Sequence, residues 1–147
     1  MFKSRWGAAA VAVTMFAAGF GARSFVGGDV AHAQGTTRVF EMRTYTAPPG
    51  KLADLQKRFR DHTLKMFEKH GMTNIGYWVP ADPPNSENTL VYIIAHKDRE
   101  AAKKSWADFR ADPAWQAVFK ESQKDGPLTT KPPESVFLNP TDYSPIK

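Results

Sequence analysis

The chain has 147 residues, no cysteine and a formal net charge of +5. That length holds one domain with appendages, and the missing cysteine excludes disulfides, thiolate metal sites and a cysteine nucleophile. The positive charge is not a nucleic-acid signature, because the lysines along the two helical segments alternate with acids, so nucleic acid is not an expected partner.

In chain order, Met1 to Trp6 carries Lys3 and Arg5, Gly7 to Ala22 is uncharged and largely apolar, and Ala31-His32-Ala33 supplies small residues before Gln34. Residues 1–33 therefore read as a secretory signal peptide, with 34–147 as a single exported domain with a short C-terminal tail, periplasmic or secreted. Cleavage before Gln34 is the expectation. The alternative is retention as an anchor, although the uncharged run is shorter than the roughly 20 residues a spanning helix needs. Loss of Lys3, Arg5, Arg23 and Asp29 lowers the net charge from +5 to +3, and the cleaved product has no membrane segment.

Arg38 to Tyr45 reads as a strand closed by Thr46-Ala47-Pro48-Pro49-Gly50. Its side chains alternate: Phe40, Met42 and Thr44 on one face, Val39, Glu41, Arg43 and Tyr45 on the other. From Gly50 the period becomes helical, with Leu52, Leu55, Phe59, Thr63, Met66, Phe67 and His70 in one stripe and Arg58 outside it. Gly71 stands where a left-handed cap ends that helix. Thr73 to Val79 is a second strand, stopped by a proline-rich loop, and Asn88 to His96 is a third, apolar on both faces as in a strand covered on both sides.

Asp98 is placed to cap a helix carrying Ala102, Trp106 and Phe109 on one face. At Asp112-Pro113 the chain breaks and restarts as a short helix with Trp115, Val118 and Phe119, because proline is tolerated in a first turn. After a polar loop, Ser135 to Asn139 is the fourth strand. The order βαββαβ is that of a ferredoxin-like α+β domain, an antiparallel sheet with helices on one face. The chain has no spare element to cover the other face, so a second copy is expected to do so.

Two blocks carry a family resemblance: Glu41-Met42-Arg43-Thr44-Tyr45 with Pro49-Gly50-Lys51-Leu52, and Ala95 to Glu100 with Ser105 to Trp115. They resemble the NIPSNAP family, whose opening pattern is roughly Glu-Leu-Arg-x-Tyr, a spacer, then Pro-Gly and a helix; Met42 stands in the leucine position. The resemblance covers roughly Arg38 to Tyr143. It implies a ferredoxin-like domain pairing into a dimeric α/β barrel with a cavity between the subunits, and it implies little about a reaction.

In that barrel Phe40 and Met42 are expected to meet the helices, while Glu41, Arg43 and Tyr45 face the inter-subunit cavity. Arg43 would bind an anionic or carbonyl group and Glu41 or Tyr45 would handle a proton; the alternative is a structural ion pair that sets the dimer register. Tyr92 and His96 on the third strand join the candidate ligand site, His96 as a base, if their parity puts them on the cavity face; the alternative for His96 is a turn role beside Asp98. His62 and His70 lie about two turns apart, about 12 Å by helical rise, too far for one metal. His70 reads as a helix-end histidine, and Trp78, Trp106 and Trp115 as core or interface. Neither a metal nor a cofactor is expected. The functional readings are a small-organic-ligand binder, a cofactor-independent monooxygenase-like enzyme, and a non-catalytic interaction module.

Overall fold

The protein is described by a computed structural model over residues 38–147. The expected signal peptide and its expected cleavage before Gln34 lie outside the described residues. Strands β1 (Val39–Thr46), β2 (Thr73–Trp78), β3 (Thr89–His96) and β4 (Glu134–Leu138) form one sheet in the order β2-β3-β1-β4. Every neighbouring pair is antiparallel, with Glu41 opposite Ile94 and Phe137, and Arg43 opposite Tyr92 and Ser135. This is the ferredoxin-like α+β arrangement.

Helices α1 (Leu52–Arg58), α2 (Leu64–Lys69), α3 (Arg99–Ala111) and α4 (Pro113–Ser122) follow the expected order. The first helical segment differs in one respect. Between α1 and α2 the turn widens to a π-helix over Phe59–Thr63, and the buried Thr63 hydroxyl donates to the Arg58 carbonyl at 3.2 Å. Gly71, at φ +75°, ends α2 in the left-handed region that favours glycine. Asp98 accepts from Ala101 N to open α3, and Asp112 accepts from Ala114 N with Pro113 in the first turn of α4. His70 sits at the end of α2 with Nε2 2.8 Å from the same Asp112, as the helix-end reading expects.

The helices cover one face of the sheet. Leu52, Leu55, Phe59 and Phe67 meet Tyr92 and Ile94 there, joined from α3 by Trp106 and Phe109. Edge-to-face contacts such as Tyr45 with Phe59 (5.6 Å) and Phe67 with Trp106 (5.4 Å) order this core. Each adds about 0.5–1.5 kcal/mol beyond simple burial. Leu128 pins the long loop to this core, helped by Thr130 N donating to the Thr46 carbonyl at 2.8 Å.

The other face carries Phe40, Met42 and Thr44 from β1, Val91 and Ile93 from β3, Val136 and Leu138 from β4, and Trp78 from β2. The helices leave it uncovered. Val136 is 49% exposed and Trp78 51%. Gly76 has a packing reason on this face: a Cβ there would stand 2.5 Å from the Trp78 indole, which lies across it. Among the described residues no helix is long and apolar enough to cross a membrane.

Candidate functional site

The expectation for β1 is reversed. Glu41, Arg43 and Tyr45 lie on the face beneath the helices, and Phe40 and Met42 lie on the open face. The reason is the supply of donors. Trp106 on α3 points its indole N–H at Glu41, and Tyr45 packs its ring on Phe59, so this polar face is satisfied only under the helix layer. The open face has no such donors from the helices; Phe40 is buried there beside Arg38, while Trp78, Val136 and Leu138 are left exposed.

Glu41 is 1% exposed and accepts four hydrogen bonds. Arg43 Nη1 (2.9 Å) and Ser135 Oγ (2.6 Å) donate to Oε1; Trp106 Nε1 (2.6 Å) and His96 Nε2 (3.1 Å) donate to Oε2. Burial pushes the carboxyl up. The hydrogen bonds from His96, Ser135 and Trp106, with the charge of Arg43, outweigh it and leave the pKa lowered to about 2. Because a carboxylate only accepts, His96 carries its proton on Nε2, which leaves Nδ1 buried and unpartnered.

Tyr92 and Tyr45 belong to a neighbouring but different group. The Tyr92 hydroxyl donates to the Tyr45 hydroxyl at 3.4 Å, and both rings pack with Phe59. Burial raises the Tyr92 hydroxyl well above its ordinary value, and burial raises Tyr77 as well. The five candidates thus divide: Glu41, Arg43 and His96 form a buried charge network, while Tyr45 and Tyr92 sit in the aromatic core.

Arg43 connects the network to solvent. Its guanidinium lies 4.2 Å from the Trp106 ring centroid, its Nε is buried without a partner, and its side chain keeps 15% of its surface exposed. It lines a cleft of about 390 Å³ shared with Arg99, Glu100, Lys103, Trp106, Arg110 and Phe137. Four cations meet one acid there. Arg99, Lys103, Trp106 and Arg110 recur every three or four residues along α3 and so form one stripe, with Arg99 held over the Phe137 ring at 3.7 Å. That spacing was present in the sequence and passed over, because lysines and acids alternate elsewhere on the helix. Ser135 was also missed, and nothing local to it marks its role.

Among the described residues no group of three or more histidine, aspartate or glutamate side chains is placed to hold a metal ion. A family model described as NIPSNAP matches residues 40–145. An uncharacterized NIPSNAP-like domain protein from Burkholderia xenovorans is similar in structure at 22% identity, with 75% of this chain and 90% of that chain covered and a TM-score of 0.65. An uncharacterized NIPSNAP domain protein from the same organism shares 27% identity, covering 73% of this chain and 98% of that one at a TM-score of 0.62. SnoaB, a cofactor-independent oxygenase from Streptomyces nogalater, shares 16% identity over 74% of this chain and 98% of that one at a TM-score of 0.50, a likeness of fold alone. No curated protein matches the chain.

Proposed function

The chain belongs to the NIPSNAP family, and from that premise we propose that it is an exported binding protein for small organic anions, with the cleft between α3 and β4 as its site. The observation that supports this reading is the convergence of Arg43, Arg99, Lys103 and Arg110 on one cleft against the single carboxylate of Glu100. A recess of one charge sign concentrates ligands of the opposite sign. The part of the Arg43 side chain that stays exposed is available to an incoming carboxylate, and Trp106 and Phe137 supply apolar surface for the rest of the ligand.

Binding fits better than proton-transfer chemistry. With four donors on its oxygens and a pKa lowered to about 2, Glu41 is a poor base near neutral pH. The buried Tyr92 hydroxyl holds its proton, and His96 Nε2 is engaged by Glu41. A cofactor-independent monooxygenase-like reaction would need a free base beside the ligand; Glu41 and Tyr92 do not supply one, and the unpartnered Nδ1 of His96 is buried on a side chain that does not line the cleft.

Two further parts of the reading concern the whole chain. Residues 1–33 would be removed on export, so the intact mass of the exported protein should start at Gln34; a mass that retains them would overturn this. The open apolar face of the sheet would be covered by a second copy, giving a homodimer.

For the site, calorimetric titration with benzene-1,3,5-tricarboxylate is the test. Arg99 and Lys103 are exposed and make none of the hydrogen bonds to Glu41, so the Arg99→Ala/Lys103→Ala double variant should stay folded, losing only the stacking of Arg99 on Phe137. At about 1 kcal/mol per cation in a wet site, its affinity should fall about thirtyfold. Equal affinity in parent and variant, or no binding by the parent at millimolar ligand, would remove the proposal.

A further inference from the structure

A second cleft, of about 570 Å³, opens between α1 with its π-helical extension and α4. That volume lies within the usual range for small-molecule pockets. Around its rim, charges cancel in neighbouring pairs: Lys51 with Asp54 at 3.2 Å, Lys124 with Glu121 at 2.7 Å, and Lys57 with Asp61. Asp125 is the remaining rim carboxylate, and Ala117 and Val118 of α4 add apolar wall.

Arg58 lines this cleft and is the exception to the pairing. It is 5% exposed, and no carboxylate among the described residues stands within ion-pair distance of it. Among the described residues its one hydrogen bond is a long one, Nη1 donating to Ser122 Oγ at 3.4 Å, and its Nε is buried without a partner there. The guanidinium otherwise rests near the rings of Trp115 (5.6 Å) and Phe119 (5.5 Å). Burial lowers its pKa, and the ionisable groups nearby, Tyr45 and Tyr92, are phenols. A buried cation normally carries a paired anion, because desolvation without one is costly. The widened π turn begins one residue after Arg58, and such turns in helices frequently occur at binding sites.

We infer that the cleft between α1 and α4 binds an organic monoanion, a carboxylate with an apolar body, whose charged end pairs with Arg58. Charge arithmetic separates this site from the cleft beside α3. The four carboxylates of the lining balance its three lysines and Arg58, so no net positive field gathers multiply charged anions here, and a single carboxylate is held only by the local pairing with Arg58. The apolar wall of Ala117 and Val118 receives the body of the ligand, while the guanidinium Nη groups donate to the carboxylate.

The experiment uses the full mature chain with 4-phenylbutyrate and its uncharged analogue 4-phenylbutanol as probes, followed by calorimetry. The parent should bind the acid at least tenfold more tightly than the alcohol. Arg58→Met keeps the buried stem and removes the charge, and should bring acid affinity down to that of the alcohol without lowering the melting temperature. A guanidinium that merely holds α4 in place would instead lower the melting temperature and leave no acid preference in the parent to lose. Should Arg58→Met fail to fold, Val118→Trp, which fills the cleft and leaves Arg58 untouched, should abolish acid binding in a folded protein. Because the cleft beside α3 can also take a carboxylate, the Arg58→Met and Val118→Trp comparisons are repeated in the Arg99→Ala/Lys103→Ala background, where the loss of acid binding on changing Arg58 or Val118 should persist. Equal affinity for acid and alcohol in that background, or acid binding there that Arg58→Met or Val118→Trp leaves undiminished, would each overturn the inference.

Discussion

The two faces of the sheet invert the usual distribution of side chains. The covered face of β1 buries a glutamate and most of an arginine, while the open face leaves Val136, Leu138 and Trp78 in solvent. What separates them is whether each group finds a partner. Glu41 is buried at modest cost because four donors reach it, and Arg43 is buried because Glu41 and the Trp106 ring take up its charge. Beyond the buried Phe40, the apolar side chains of the open face are not covered by the helices, and exposed apolar surface of that kind is common where proteins associate. Polarity alone does not say which face is the interior.

The largest test of the contrast is Glu41→Gln. The amide keeps the shape but turns an N–H₂ group toward donors, leaving part of the network unpaired and Arg43 without its counter-ion. Breaking a buried pair in this way costs on the order of 3–5 kcal/mol. Urea unfolding at pH 7 measures it, and a loss below 1 kcal/mol would show that the network contributes little.

Acid titration of the same pair of proteins is the next largest effect. The Glu41 pKa is depressed from 4.5 to about 2 in the folded state, so its stabilisation is present above about pH 4.5 and is lost as the pH falls towards 2. The shift corresponds to about 3 kcal/mol. The stability gap between parent and Glu41→Gln should therefore close across that window. A gap that survives to pH 2 would mean that the carboxylate charge is not what matters.

Arg43→Ala should cost on the order of 1–3 kcal/mol, since Glu41 keeps three donors and loses only its cation. The same variant should weaken tricarboxylate binding at the α3 cleft. Calorimetry showing parental affinity would make Arg43 purely structural.

On the open face the expected effect is on assembly rather than folding. Val136→Glu places a charge on a half-exposed edge strand, so the far-UV circular dichroism should stay parental. If a second copy covers this face, light scattering at micromolar concentration should give a dimer for the parent and half that mass for the variant. A monomeric parent would leave the exposed apolar face without the partner proposed for it.

Much of the architecture is legible without coordinates because it is encoded over a few residues. Asp98 caps α3 through Ala101, three residues on, and Asp112-Pro113 restarts the chain as α4 by an equally local bond. Gly71 ends α2, and the alternation of β1 separates its two sets of side chains correctly. The stripe from Leu52 to Phe67 marks the buried side of the first helical segment, although it places Arg58 outside. Arg58 flanks that stripe, and α4 packs against that flank; the period of one helix carries no record of what a distant helix covers.

The same distinction separates what was determined by sequence alone from what tertiary structure decided in the candidate site. Two-residue periodicity established that Glu41, Arg43 and Tyr45 share a face and that Tyr92 and His96 share one, while the register that puts both sets on the same side of the sheet came from the strand pairing. Which face the helices cover depended on partners far along the chain. The donors to Glu41 from His96, Trp106 and Ser135 lie 55, 65 and 94 residues away from it. A carboxylate is tolerable in a protein interior only when such donors converge on it, and that convergence is a property of the folded chain, so the face that reads as polar in sequence became the buried one.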